Sequence, residues 1–317
     1  MQYRSFGHSG LQISAIGLGG NTFGRACDEQ QTAEVVDRAL ELGVNHFDCA
    51  DSYGGGGVFE RYLGAALHGK REQAIIATKT GFPFSDGPNS DGLSRWRIIQ
   101  NCEASLMRLG TDYIDVYYLH RPDARTPIEE SLRALDDLMR QGKIRYGACS
   151  NYSGWEIARL CERSTAHGWT TPIVSQSNYS ILAREIEADV IPACAAYGLG
   201  IVPFSPLAGG LLTGKYRAGE PIQAGVRGYG NPRFERLVAS NTMTTVERID
   251  DFAKQRGYTI TQVALAWLLS QPVVSSVITG VTSPAQVTAN ISALECTLSS
   301  EDLESLDAIV SEQPGSE

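Results

Sequence analysis

The 317-residue chain has no apolar run long enough for a bilayer: the longest, VALAWLL at 263–269, is far too short to span one. Its opening, MQYRSFGHSG, lacks the basic-then-apolar order of a secretory signal, so a cytoplasmic protein is expected. Positive charge is in deficit. With 27 Lys and Arg against 36 Asp and Glu, the formal charge of −9 argues against a general nucleic-acid or anionic-membrane surface. Any bound phosphate needs its own local cluster of Lys or Arg. The seven cysteines, at 27, 49, 102, 149, 161, 194 and 296, are scattered, odd in number and form no C-x-x-C. Buried thiols in a reducing compartment are the expectation, and no metal site is expected.

Two phosphate-binding signatures are also missing. A doubly wound nucleotide fold needs a third glycine after its first strand, and here Gly17-x-Gly19-x-x leads to Thr22. GAALHGKR at 64–71 has the glycine-to-lysine spacing of a P-loop, but Arg71 stands where a magnesium-binding Ser or Thr is needed, and a helical pattern precedes it.

What is present is a regular alternation in a chain with 42% hydrophobic residues, enough for a full core. YRSFG and LQIS read as an opening hairpin. Eight strand-like runs follow: AIGLG, VNHFD, AIIATK, IDVYYLH, IRYGACS, PIVSQS, LGIVPFS and SSVITG. Helical patterns lie between them, near 31–42 and 95–109 with Gly43 and Gly110 as stops. Thr126-Pro127-Ile128-Glu129 predicts a capping box for a helix with Ile128, Leu132, Leu135 and Leu138 inward and Gly142 at its end. Ser153-x-x-Glu156 predicts another, with Ile157, Leu160 and Cys161 inward. Eight strand–helix units predict one α/β domain over 1–317, a (β/α)8 TIM barrel with an N-terminal β-hairpin and extra C-terminal helices. The Gly-, Pro- and Arg-rich stretch 217–240 predicts a long functional flap.

Three stretches end in polar residues: FDCADSYGG at 47–55, IIATKTG at 75–81 and VYYLHRPD at 116–123. They bring Asp48, Tyr53, Lys79 and His120 to the ends of consecutive strands, the face where barrels carry their chemistry. With GLGG near 17–20, SN at 150–151, Gln176, FSPLAGGLLTGKY at 204–216 and TGVTSPAQVTAN at 279–290, the chain from about 3 to 310 resembles the aldo-keto reductase family. The long FSPLAGGLLTGKY form is closer to the branch of bacterial sugar and aryl-aldehyde reductases and potassium-channel beta subunits. The resemblance implies a nicotinamide cofactor lying across the C-terminal mouth.

A carbonyl accepting hydride at carbon develops negative charge on oxygen, so the site must deliver a proton there. Tyr53 is the proposed acid, its pKa of roughly 10 eased toward phenolate by a cation, Lys79. Asp48 pairs with Lys79 to keep the ammonium charged, and His120 orients the carbonyl. Taken singly, each residue has a plainer reading: Asp48 as a turn residue or helix cap, Tyr53 as loop packing, Lys79 as a snorkelling strand-end cation and His120 as a loop residue. Their convergence argues for the site. Two rivals stand beside a reductase: a cofactor-binding regulatory subunit, and a barrel enzyme using Lys79 as a Schiff-base nucleophile, which the adjacent anion opposes. Phe23, Phe82, Phe84 and Trp96 are candidates for an apolar substrate wall, with ordinary loop packing as the alternative.

The cofactor residues come from the resemblance. Ser150, Asn151 and Gln176 would hold the nicotinamide amide, and Phe204 would stack on its ring. Ser205, Pro206, Leu207 and Gly209 would follow the pyrophosphate, with Lys215 adding charge. Gly280, Thr282, Gln286 and Asn290 match GxTxxxQxxxN at the adenosine end, and Gly20, Asn21 and Thr22 also touch the cofactor. Asp48 counts with them. Many members carry Arg or Lys at the position of Thr282, to grip an adenosine 2′-phosphate, and Glu at that of Ala289; this chain has neither. Arg227 matches a basic residue that can take over the phosphate, which favours NADPH over NADH while leaving NAD possible. The expected partner is a small carbonyl or alcohol substrate, with no nucleic acid and no membrane; the oligomeric state is not legible.

Overall fold

The protein is described from a computed structural model over residues 1–84, 86–226, 228–240 and 242–312, with Arg233 described by its backbone alone. A hairpin comes first, β1 (Tyr3–Ser5) and β2 (Gln12–Ser14). The eight apolar runs then form β3 (Ile16–Gly19), β4 (His46–Asp48), β5 (Ile75–Thr80), β6 (Ile114–Leu119), β7 (Ile144–Ser150), β8 (Val174–Asn178), β9 (Gly200–Phe204) and β10 (Val277–Gly280). They pair in parallel in the order β10-β3-β4-β5-β6-β7-β8-β9. The remaining edges meet where Ile201 N donates to Val273 O (2.8 Å) and Ser275 N to Ile201 O (2.9 Å). The result is a (β/α)8 barrel.

A strand covered on both faces has no polar side, and β6, IDVYYL, is buried at every position. Ala77, Val116, Tyr118, Ala148, Val174, Val202 and Ile278 fill the barrel interior, and Phe6 and Ile13 from the hairpin join them. The hairpin thereby plugs the N-terminal end. It is tied down by Arg4, whose guanidinium donates to Val274 O (2.9 Å) and Leu269 O (2.7 Å). A second and larger apolar layer lies between the strands and the surrounding helices. All seven cysteines are buried free thiols.

Helix ends follow local chemistry. The first helix runs Glu29–Glu41, two residues earlier than its apolar period suggests, because Asp28 and Gln31 cap each other reciprocally. Helix Arg95–Leu109 ends at Gly110 (φ 63°), as expected. The Ser153 box forms, with Glu156 Oε2 accepting from the Ser153 N–H (2.9 Å) and hydroxyl (2.7 Å). The box predicted at Thr126 does not. Pro127, with ψ 131°, delays the helix to Ile128–Arg140 and leaves Glu129 a residue too early to reach back. Thr126 instead donates to Asp123 Oδ2 (2.8 Å), and Glu129 pairs with Arg163 (3.1 Å). The stretch 217–240 is not continuous loop either, since Pro232–Val238 is helical. Helices Thr242–Gln255 and Ile260–Leu269 precede β10, and Pro284–Ile291 and Ser300–Ser311 follow it. Among the described residues no helix is long and apolar enough to cross a membrane.

Candidate active site

With one end plugged, the C-terminal ends of the strands make the open mouth, and three adjacent strands deliver the expected set. Asp48 ends β4, Lys79 is the next-to-last residue of β5, and His120 follows β6. Lys79 Nζ lies 2.6 Å from Asp48 Oδ2, 2.7 Å from Cys49 O and 3.4 Å from Tyr53 Oη. The same ammonium sits 5.0 Å from the Tyr53 ring centroid. His120 meets the Tyr53 ring edge-on at 6.1 Å. Asp48 and Lys79 are buried, His120 nearly so, and the Tyr53 ring is half-buried at the mouth. All four residues are thus brought together.

Burial would push the Lys79 ammonium down, but the Asp48 carboxylate, the Tyr53 phenol and the short bond to Asp48 outweigh it, and its pKa stands above the ordinary value. Lys79 is a cation here, which removes the lone pair a Schiff-base nucleophile needs. Burial also raises the Tyr53 phenol, and this outweighs the downward pull of Lys79. That corrects the expectation of an eased phenolate: the resting group is a neutral proton donor. His120 is lowered to about 2 by burial, with Lys79 and Arg121 adding to the effect, so its ring is neutral.

Asp48 is held on both oxygens, for Gln176 Nε2 donates to Oδ1 (2.8 Å). Gln176 therefore supports the ion pair through one N–H of its amide. Asn151 is similarly engaged: its Nδ2 donates to His120 O (2.9 Å) and Ser150 Oγ (3.0 Å), and its backbone takes φ 63°. Such a left-handed non-glycine residue is strained unless its surroundings fix it, a feature that clusters at functional sites.

The other expected residues continue around the mouth on the remaining strand ends. Phe204 closes β9, and the turn after it is held by backbone geometry: Ser205 (φ 55°), Ala208 (48°), Gly209 (70°) and Gly210 (113°) are all left-handed. Ala208 N and Gly210 N bond within the turn to Ser205 O and Leu207 O, with Pro206 buried beneath. Lys215 stands exposed beyond it. Gly280 ends β10 with open space where a side chain would be, nothing lying within 4 Å of a built Cβ. Thr22 Oγ1 donates to Val281 O (2.8 Å), joining the Gly20-Asn21-Thr22 loop to this segment. Gln286 folds back on Thr282, accepting from its N–H at 2.8 Å, and Asn290 is buried on the same helix. Gly20 has no room for a side chain, since a Cβ there would fall 1.9 Å from the Phe59 ring. Arg227 lies outside the described residues.

The residues present are compatible with a nicotinamide dinucleotide on one observation in particular: a side chain built at Gly280, at the end of β10, would meet nothing within 4 Å, so this strand end is open to a ligand. Of the four wall aromatics, Phe82 stands nearest the chemistry, edge-on to His120 at 4.5 Å and under the Arg121 guanidinium at 4.5 Å. Phe23 does not line the site. It is fully buried and stacked on Phe59 at 4.7 Å, because the loop after β3 folds inward. Phe84 and Trp96 are exposed on the outer rim.

Sequence reading missed Asp51 and Asn101, both buried directly behind the tetrad. The available signals were a second carboxylate inside FDCADSYGG and an Asn on the apolar face of helix Arg95–Leu109, between Ile98 and Cys102.

An ammonium–carboxylate pair, a neutral phenol and a neutral imidazole meet at the mouth of a barrel, a set able to donate a proton there. The chain belongs to the aldo/keto reductase family, whose profile matches residues 15–311. It is 36% identical to a probable voltage-gated potassium channel subunit beta of Oryza sativa subsp. japonica, over 99% of this chain and 98% of that one. It is 36% identical to an uncharacterized oxidoreductase, YrpG, of Bacillus subtilis (98% and 96% covered). It is 34% identical to an L-glyceraldehyde 3-phosphate reductase of Escherichia coli (97% and 92% covered).

Proposed function

We propose that the chain reduces an aldehyde or ketone, sugars included, to the alcohol with NAD(P)H, and runs the reverse reaction when the alcohol is in excess. The observation that carries the reading is the neutral Tyr53 phenol 3.4 Å from the Lys79 ammonium at the open mouth. When bound, the reduced nicotinamide supplies the hydride. Tyr53 Oη donates its proton to the carbonyl oxygen, and Lys79 stabilises the phenolate left behind. Asp48 and Gln176 hold Lys79 charged and in place. Neutral His120 hydrogen-bonds the same carbonyl oxygen and adds no charge of its own. Ser150 and Asn151 bind the nicotinamide amide, Phe204 its ring and the turn after β9 the pyrophosphate.

NADPH is favoured over NADH through Arg227, whose planar fork suits a 2′-phosphate. Arg227→Ala should raise the NADPH KM far more than the NADH KM, and equal effects would refute the role. A second reading, a cofactor-binding regulatory subunit, is favoured by the similarity to probable channel beta subunits. One experiment separates the two: loss of reduced-nicotinamide absorbance with a panel of aldehydes, sugars, quinones and L-glyceraldehyde 3-phosphate, using NADPH and NADH in parallel. Rapid multiple turnover supports the reductase. Tight nucleotide binding with no turnover on any carbonyl supports the regulatory reading.

A further inference from the structure

Tyr53 lies only five residues beyond Asp48, and between them stands a second carboxylate, Asp51, that no step above uses. Asp51 is fully buried. Its backbone N–H donates to Lys79 O (3.3 Å), and Tyr53 N donates to Ala50 O (3.1 Å), so the loop is laced to β5 beside the lysine. Asn101 Nδ2, from the helix Arg95–Leu109, donates to Asp51 Oδ2 (2.5 Å) and to Thr80 Oγ1 (2.7 Å). One amide thereby ties the Tyr53 loop to the residue next to Lys79. We infer that Asp51 is a positioning residue for the reaction: clamped by Asn101, it sets the separation between the Tyr53 phenol and the Lys79 ammonium.

The clamp is made on one side only. Asp51 Oδ1 is buried without a hydrogen-bond partner, as are Nε and Nη2 of Arg97 on the same helix. Glu60, from helix Val58–Ala66, is also fully buried, and its carboxylate is held by Thr78 Oγ1 (2.6 Å) and Arg108 Nε (2.6 Å). The groups facing Asp51 are therefore Glu60 from one helix, Arg97 and Arg108 from another, and the Tyr117 phenol from β6. Burial first, then the Glu60 charge, raises the Asp51 carboxyl to about 7, against the pull of both guanidiniums. Asn101 donates to Oδ2, a bond that tightens when the carboxyl is ionised, while ionisation also places a second buried anion beside Glu60; the change of charge therefore alters the hold on the loop that aims Tyr53.

The inference rests on the reductase reading for its catalytic consequence, but its structural core is testable without turnover. In the first measurement, kcat and KM for an aldehyde are followed from pH 5.5 to 8.5 in the wild-type protein and in Asp51→Asn, Asp51→Ala and Asn101→Leu. The wild-type kcat should show an inflection near pH 7 as Asp51 changes charge. Asp51→Asn, which keeps the shape and cannot ionise, should retain the low-pH kcat without that inflection. Asp51→Ala and Asn101→Leu should lose roughly tenfold or more in kcat with little change in KM, as expected when a reacting group is displaced by a fraction of the ~1 Å that costs about a hundredfold.

In the second, the Tyr53 ring carbons are observed by NMR in 13C-tyrosine-labelled protein, assigned with Tyr53→Phe. Their shifts should titrate near pH 7 in the wild type and not in Asp51→Asn. An unchanged inflection in Asp51→Asn, or a Tyr53 resonance insensitive to Asp51, would overturn the inference. A chain that turns over no carbonyl while Tyr53 still reports Asp51 would instead overturn the reductase reading and leave the clamp standing.

Discussion

Lys79 Nζ and Asp48 Oδ2 lie 2.6 Å apart with both side chains out of solvent. Bringing two charges into such a place costs several kcal/mol each, and the mutual attraction offsets this only when both partners are present. Asp48→Asn should therefore destabilise the protein by about 3–5 kcal/mol, the usual result of orphaning a buried charge. Asp48→Asn combined with Lys79→Met should be less destabilised than Asp48→Asn alone, although inactive. Urea denaturation of the single and double variants checks this, and simple additivity would show that the pair is not coupled.

Gly280 offers a way to probe the proposed cofactor position without touching the core. Its would-be Cβ meets nothing within 4 Å. Its φ lies outside the left-handed range, so a side chain is tolerated by the backbone. Gly280→Val should melt within a few degrees of the wild type yet bind NADPH at least tenfold more weakly, by about 1.4 kcal/mol. Nucleotide fluorescence titration reads this directly. Unchanged affinity would move the nucleotide elsewhere.

His46 gives a pH prediction of known sign. It is fully buried under Phe6, its Nδ1 lies 2.9 Å from Ser276 Oγ, and burial, with Lys79 adding to it, lowers its pKa to about 3. A histidine kept neutral in the fold takes up a proton more readily when unfolded. Its contribution is thus complete above pH 6.5 and declines as pH falls toward about 3. Across that window the wild type should lose stability relative to His46→Gln by about 1.4 kcal/mol per pH unit. Chemical denaturation at pH 7, 5.5 and 4.5 measures the difference; a constant gap would mean that the ring is not held neutral.

The barrel itself was legible because strands buried on both faces have few ways to be written: β5 and β6 read as apolar runs that turn polar only at the mouth. Asp48, Tyr53, Lys79 and His120 were legible for the same reason, since the end of each run marks where the strand opens onto the mouth. Features set by distant pairings were not. Thr126 has the spacing of a capping box, but the φ and ψ of Pro127 and the carboxylate of Asp123 decide its bond. Phe23 reads as a loop aromatic until Phe59, from a helix 35 or so residues later, stacks on it. The bond from Gln176 to Asp48, 128 residues away, has no local signature either. The Asp51–Asn101 bond, 50 residues apart, has no local signature at all.

The proton-donating phenol is the centre of the account, and Tyr53→Phe tests it most directly, with kcat for aldehyde reduction and the NADPH dissociation constant measured on the same preparation. The ring stays and only Oη is lost, so the nucleotide should bind within about twofold of wild type while kcat falls by at least the 10²–10⁴-fold typical of a positioned general acid. A Tyr53→Phe protein that turns over at the wild-type rate would contradict it.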